Sequence, residues 1–289
     1  MKSELFFELR TLPPRKWGAK LLATLAVFLL AFVILIPFLY MLSASMKTMG
    51  QLDNQPLELF VEGMSLRNYE KVLQLQNPSF FDYYFNSIKI AFVCVVVELL
   101  TSSMSGYAFA RIRFKGRNVL FLLYLATMMI PFQAIMVPQF MVFTSLGIYN
   151  THWALILPKM CTCFGTFIMR QYFMGIPIEL SEAAKIDGAG EVKTFYKVIL
   201  PLAKPSIATL GILTFVWRWN DYEGPLIFIS KKELYTLPLA LVNFVDDVGQ
   251  QQDTLVISAG VCALLPMLIV FFLGQKYLIE GITAGSVKG

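Results

Sequence analysis

Charge is scarce in this sequence: only 15% of its 289 residues are Asp, Glu, Lys or Arg, against about 25% in an average soluble domain. Histidine occurs once, at His152, so there is no His-Glu-x-x-His metal site. No Gly-x-Ser-x-Gly occurs either, which leaves an intramembrane hydrolase without its motifs. The dipeptide Gly-Lys is absent, so the chain has no P-loop and any use of ATP requires a partner. Gly188-x-Gly190 begins like a dinucleotide fingerprint but lacks the third glycine and a preceding strand. Four cysteines (Cys94, Cys161, Cys163, Cys262) lie in apolar stretches, and Cys161-x-Cys163 lacks the spacing of a zinc or redox pair. They read as small buried hydrophobes. There is no low-complexity tract and no repeat of 20–50 residues, which implies one domain.

What is abundant is apolar: 57% of residues are hydrophobic and 14% aromatic, with a mean hydropathy of +0.63. That balance defines an all-α polytopic membrane protein. A basic segment, 1–18, carries Pro13-Pro14 and is followed by Leu21–Met46, 26 residues without a charge. This run is too long for a signal-peptide core and long enough to span. Span one is expected over 19–45, followed by a near-neutral loop over 47–85. Span two follows over 86–110, where Ser102, Gly106 and Ala110 form a small-xxx-small face. Asn118 to Pro158 contains 41 residues without a charge, about twice a bilayer crossing at 1.5 Å per residue. Spans three and four are expected over 119–143 and 152–173, and the lone His152 reads as an interfacial residue. Span five is expected over 205–229 and span six over 254–275, with a polar loop over 230–254 between them. The spans form one domain over 19–280, followed by a tail, 281–289.

Six spans place both termini on one side, and the basic residues indicate which. Sixteen of the 24 Lys and Arg fall in the N-terminal segment, the 111–117 hairpin, the 170–204 region and the C-terminal end, against five on the opposite side. By the positive-inside rule both termini and the 175–204 loop are cytoplasmic. The net charge of +5 therefore reflects topology rather than nucleic-acid binding.

Two polar stretches interrupt the apolar pattern. In the 175–204 loop around Ser181–Gly190, Pro177 suits a first helical turn and Glu179 and Glu182 complement the positive end of the helix dipole. Leu180, Ala183, Ala184 and Asp187 follow helical spacing and give a small apolar face. Asp187-Gly188-Ala189-Gly190 predicts a sharp turn, and a second short helix over 191–199 ends at Leu200-Pro201. The product is an L-shaped knob able to enter a groove on another protein, or else an amphipathic linker lying on the membrane surface. The second stretch, Trp217-Arg-Trp-Asn-Asp-Tyr-Glu223, sits inside span five. Charges at that depth face a cavity or a partner, and Trp217, Trp219, Asn220, Asp221, Glu223 and Gly224 combine aromatic faces with hydrogen-bonding groups suited to a sugar. The alternative is an Arg218–Asp221 ion pair inside an aromatic belt. Glu98 in span two is isolated and is expected to pair with a neighbouring helix. Pro37, Pro131, Pro138, Pro158, Pro225 and Pro266 lie in or at the ends of spans and permit kinks.

The spacing of Glu182-Ala183-Ala184, Gly188 and Leu200-Pro201, with Val198 where isoleucine is usual, resembles the "EAA" loop of ABC-importer permeases. Trp219-Asn-Asp221, Gly224-Pro-Leu226, Tyr235-Thr-Leu-Pro238 and Gly281–Gly289 look like the sugar-importer branch, specifically the shorter permease of maltose-type heterodimers. The resemblance implies a type I ABC importer permease fold with six transmembrane helices and a coupling-helix loop. It implies ATPase-coupling roles for Glu182, Ala183, Ala184, Asp187, Gly188, Ala189, Gly190, Leu200 and Pro201, and a tail (Ala284, Gly285, Lys288, Gly289) that reaches the ATPases. Implied partners are a second homologous permease, two ATPase subunits that hold ATP and Mg, an extracytoplasmic solute-binding protein, a carbohydrate and membrane lipid. This chain itself would bind no cofactor or metal and catalyse no reaction. Rival classes are an ABC permease for a non-sugar solute and a self-sufficient secondary transporter. The latter needs an inverted repeat or ion-coupling carboxylates, and neither is convincing in this sequence.

Overall fold

A computed structural model describes residues 14–75, 78–248 and 253–286, and every secondary-structure element among them is helical. The chain divides into two compact units, residues 1–71 with 251–261, and residues 72–250 with 262–289.

The first unit contains α1 (Pro14–Ser45), α2 (Met49–Asn54) and most of α3 (Arg67–Leu73). Helix α1 stays continuous through Pro37, and its apolar window is fully exposed within the chain, the pattern of a helix facing lipid. The 46–71 segment after it is tightly built. Thr48 and Gln51 form a reciprocal capping box at the start of α2. Lys47, expected in a solvated loop, is fully buried. Its Nζ donates to the carbonyls of Gln55 (3.0 Å) and Glu58 (2.5 Å), because a buried ammonium needs acceptors. Asn68 Nδ2 donates to the Ser45 and Lys47 carbonyls, each at 2.8 Å.

The second unit is organised on α4 (Phe80–Arg111). It starts six residues earlier than expected because Ser79 and Asp82 cap it reciprocally. The small-xxx-small face packs on a later helix, α8 (Cys163–Gly175). A Cβ on Gly106 would lie 2.7 Å from Met169 Cβ, and one on Gly165 would lie 2.2 Å from Ser102 Oγ. The absence of side chains at these two positions sets the helix approach.

Spans three and four are not straight helices. Between α5 (Arg117–Ala126) and α6 (Phe132–Ser145) the chain bends by 96°. Pro131 lacks an N–H and forces the preceding Ile130 into an extended conformation (ψ 113°). The expected fourth span starts as α7 (Trp153–Ile156), tightens into a 3₁₀ turn at Leu157–Lys159, breaks, and restarts as α8 under a Thr162 cap. Three helices among the described residues are long and apolar enough to cross a membrane unbroken, at 20–45, 80–111 and 253–277, and up to five candidate spans result if each bent pair is one span. Of the six expected spans, the first, second and sixth coincide with these unbroken helices, and the bent pairs at 117–145 and 191–219 fall at the third and fifth.

The remaining elements are α9 (Glu179–Ile186), α10 (Glu191–Thr194), α11 (Leu200–Leu202), α12 (Lys204–Trp219), α13 (Glu223–Phe228), α14 (Leu237–Val248) and α15 (Asp253–Ser286). Helix α14 replaces much of the polar loop expected over 230–254. Leu237, Leu239 and Ala240 are buried, and the Leu237 N–H donates to Ser87 Oγ at 2.7 Å. Helix α15 continues beyond the expected span six, without a break at 281, to Ser286. Ala284 and Gly285 therefore lie on a helical backbone, while Lys288 and Gly289 lie outside the described residues. Cys94 is buried as expected, whereas Cys161 is exposed at the break before α8.

Candidate functional site

The first half of the 175–204 loop folds as its sequence directs, whereas the second helix runs past the expected Leu200-Pro201 stop to Leu202. Helix α9 closes with a Schellman motif: the Gly188 N–H donates to the Lys185 carbonyl (3.0 Å) and the Ala189 N–H to the Ala184 carbonyl (2.9 Å). That closure puts Gly188 at φ +77°, where an L side chain is strained. Gly190 is extended at φ −71° and needs no glycine. The second half runs as α10, a π-turn over Phe195–Ile199, then α11.

Of the small apolar face expected at Leu180, Ala183 and Ala184, only Ala184 is buried. Ser181 and Ala184 point inward, whereas Glu182, Ala183, Lys185, Asp187 and Gly188 are exposed. Ile186 is 86% exposed and Val192 72%. Both side chains therefore lie on the outer surface of the loop.

Span-end side chains hold this loop at both margins. Arg111, the last residue of α4, donates from Nη2 to the Phe173 carbonyl at 2.7 Å and also to the Ile176 carbonyl, where the loop begins. The Tyr172 hydroxyl donates to the Leu202 carbonyl at 3.1 Å, where the loop ends. In its middle, Glu191 Oε2 accepts from the Tyr107 hydroxyl (2.9 Å) and Oε1 from Lys185 Nζ (2.5 Å). The Lys185 ammonium holds the Glu191 carboxyl below the usual carboxylate range against the opposing effect of burial, and Tyr107 assists. Tyr107, Phe173 and Phe195 pack beneath as an aromatic trio with centroids 4.9–6.3 Å apart.

A second constellation lies where the two interrupted segments meet. Helix α12 ends at Trp219, and α13 restarts at Glu223 with the Gly224 N–H donating to Asp221 Oδ1 at 3.2 Å. Asp221 also pairs with Lys159 at the break of the other segment. Glu98, fully buried on α4, accepts from Thr162 Oγ1 at 2.6 Å and pairs with Arg218 at 3.4 Å. The Arg218–Asp221 pair considered from sequence is therefore replaced by two pairs between different elements, Lys159–Asp221 and Glu98–Arg218. Glu98 does pair with neighbouring elements. Irregular backbone at membrane depth is tolerated only where protein or water satisfies it, and here Asp221 and Thr162 accept from the Gly224 and Gly165 N–H groups.

The sequence-selected tryptophans take different positions. Trp217 is 42% exposed, its ring edge-on to Phe164 at 4.9 Å. Trp219 is 2% exposed, donates from Nε1 to the Ala263 carbonyl at 3.0 Å and stacks on Phe215, which is a packing role. Asn220 is exposed, with Nδ2 donating to the Val216 carbonyl at 2.8 Å. Exposed Glu223 accepts from Gln133 Nε2 at 3.1–3.2 Å. Lys159, Thr162 and Gln133 were not selected from sequence. The available signal was a lysine directly after Pro158 inside an otherwise apolar run.

Broken apolar helices around paired charges, with an exposed two-helix loop held at the span ends, define a membrane permease. Residues 99–283 match the family described as "Binding-protein-dependent transport system inner membrane component", and the chain belongs to that family. It is 36% identical to the arabinooligosaccharides transport system permease protein AraQ of Halalkalibacterium halodurans, over 97% of this chain and 99% of the relative. It is 31% identical to the galactooligosaccharides transport system permease protein GanQ of Bacillus subtilis, over 95% and 98%. Among solved structures it resembles a chain of a bacterial ABC transporter involved in import of the acidic polysaccharide alginate, with a TM-score of 0.80 and 26% identity over 92% of this chain and 98% of that one. The chain is thus a membrane-embedded permease subunit of an ABC importer.

Proposed function

We propose that this chain forms half of the translocation pathway of a carbohydrate importer, with oligosaccharides as its cargo. A second homologous permease completes the pathway, two ATPase subunits bind ATP and Mg beneath it, and a solute-binding protein delivers sugar from outside. Both termini and the 175–204 loop face the cytoplasm. The loop enters the ATPases, with Glu182, Ala183, Asp187 and Gly188 at its tip, and its displacement opens and closes the path. The observation that carries this reading is the exposed tip itself: Ile186 and Val192 project from a helix pair whose other side is fixed to the span ends. Support for carbohydrate comes from the relatives named for arabino- and galactooligosaccharides. The rim of the path is assigned to Trp217, Asn220, Asp221 and Glu223, with Lys159 added and Trp219 kept as its packing support.

Ile186→Asp tests the docking role, because so exposed a side chain contributes little to the fold. The variant should assemble with the second permease yet bind the ATPases about tenfold more weakly, a loss of about 1.4 kcal/mol, with a matching fall in uptake. Unchanged ATPase retention and uptake would remove the loop from the interface. Cargo is read by titrating the solute-binding protein with an oligosaccharide panel. Binding of a non-sugar solute alone would replace carbohydrate in this reading.

A further inference from the structure

The Glu191 carboxylate joins three elements that are separate in sequence. One oxygen accepts from Lys185 on α9 at 2.5 Å, the other accepts from Tyr107 on α4 at 2.9 Å, and Glu191 itself opens α10. Beyond the packing of α9 on α10 and on the Phe195–Ile199 π-turn, this carboxylate gives the two halves of the loop a charged link to each other and to α4.

Tyr107 is 4% exposed, so its hydroxyl aims out of a packed aromatic trio at an otherwise half-exposed carboxylate. That geometry holds the carboxylate against α4 rather than leaving it in solvent. Arg111, one helical turn further along α4, holds the loop entrance through the Phe173 and Ile176 carbonyls. Helix α4 therefore grips the loop at two points although it is not adjacent to it in sequence. The same helix carries Glu98, which pairs with Arg218 on α12 and accepts from Thr162.

We propose that Glu191 is a positioning residue that couples loop displacement to α4, and through α4 to the Glu98–Arg218 pair between the interrupted segments. A push on the tip is then delivered to the helix beside the path, and not only to α8 and α12, which continue from the loop ends. This rests on the docking role proposed for the loop, and the experiment keeps the two separable.

Tyr107→Phe removes only the hydroxyl and keeps the ring packing, and Glu191→Ala removes both hydrogen bonds. Each is measured in the full complex with its ATPases and solute-binding protein in proteoliposomes, beside Ile186→Asp. Expected for both variants is normal ATPase retention and ATP hydrolysis, with sugar transported per ATP falling about threefold or more, within the range reached by single substitutions along a coupling network. Glu191→Gln, which keeps an acceptor for Tyr107, should recover part of the loss. An unchanged ratio in both variants overturns the inference. Loss of the ATPase subunits also overturns it, by assigning Glu191 to docking. If Ile186→Asp impairs ATPase retention while Tyr107→Phe and Glu191→Ala behave as wild type, only the coupling inference fails. If Ile186→Asp is also silent, the docking role fails with it.

Discussion

Gly106 and Gly188 illustrate two physical reasons for a glycine. At Gly106 the backbone is helical, and a methyl group would meet Met169 Cβ at 2.7 Å and the Arg170 backbone nitrogen at 2.8 Å. Gly106→Ala should cost about 1–3 kcal/mol through overpacking. At Gly188 a methyl group meets nothing within 4 Å, but φ is +77°. Gly188→Ala should cost about 1–2 kcal/mol, the strain of the left-handed conformation. Asparagine separates the two, since it tolerates that conformation yet is bulkier than alanine. Gly188→Asn should recover most of the stability lost in Gly188→Ala, and Gly106→Asn should be worse than Gly106→Ala, read as thermal unfolding of the detergent-solubilised chain.

At the scale of elements, the charges at the interrupted segments bear most directly on stability. Glu98 is fully buried, and its partners come from two other elements, Thr162 before α8 and Arg218 on α12. Removing one member of a buried ion pair leaves an uncompensated charge, at a cost of roughly 3–5 kcal/mol. Glu98→Ala should therefore destabilise strongly, and Glu98→Ala with Arg218→Met should be less destabilised than Glu98→Ala alone. A double variant worse than Glu98→Ala would show that Arg218 has another essential partner. These pairs were not legible in the sequence because they join residues 120 and 62 positions apart, beyond the reach of periodicity. The long helices α1, α4 and α15 were legible because hydropathy accumulates over some 20 residues. Prolines were legible as residues but not as breaks. Pro37, Pro138 and Pro266 remain inside helices, whereas Pro131 and Pro158 lie at breaks. At the break after Pro158, Thr162 caps the restarted helix and donates to Glu98, and that partner is supplied by the fold. The two-helix loop is legible because its determinants are local, an acidic first turn and a left-handed glycine, but the stop expected at Leu200-Pro201 comes later: the helix continues through Pro201 to Leu202 and breaks at Ala203. Which of its alanines is covered is not legible, because α9 packs on α10 and the π-turn, whose placement the spacing of α9 does not set. Helix α14 was missed because its polar residues break the apolar run that marks a span.

For the whole molecule, the main uncompensated asymmetry is the distribution of Lys and Arg. Sixteen of 24 fall on the side assigned to the 111–117 hairpin and the 175–204 loop, against five on the other. That bias orients a polytopic chain when it is concentrated close to span ends, as it is in Arg111-x-Arg113-x-Lys115-x-Arg117. The orientation in turn decides whether the loop tip can meet a cytoplasmic ATPase, so both assignments depend on the same asymmetry. With Cys94, Cys161, Cys163 and Cys262 replaced, a single cysteine is placed either at Lys115 or at Lys231, both of which are exposed. A membrane-impermeant maleimide should label position 231 in intact spheroplasts and position 115 only after permeabilisation. The reverse pattern would invert the molecule, put the Ile186 tip outside the cell and remove the physical basis for ATP-driven coupling through it.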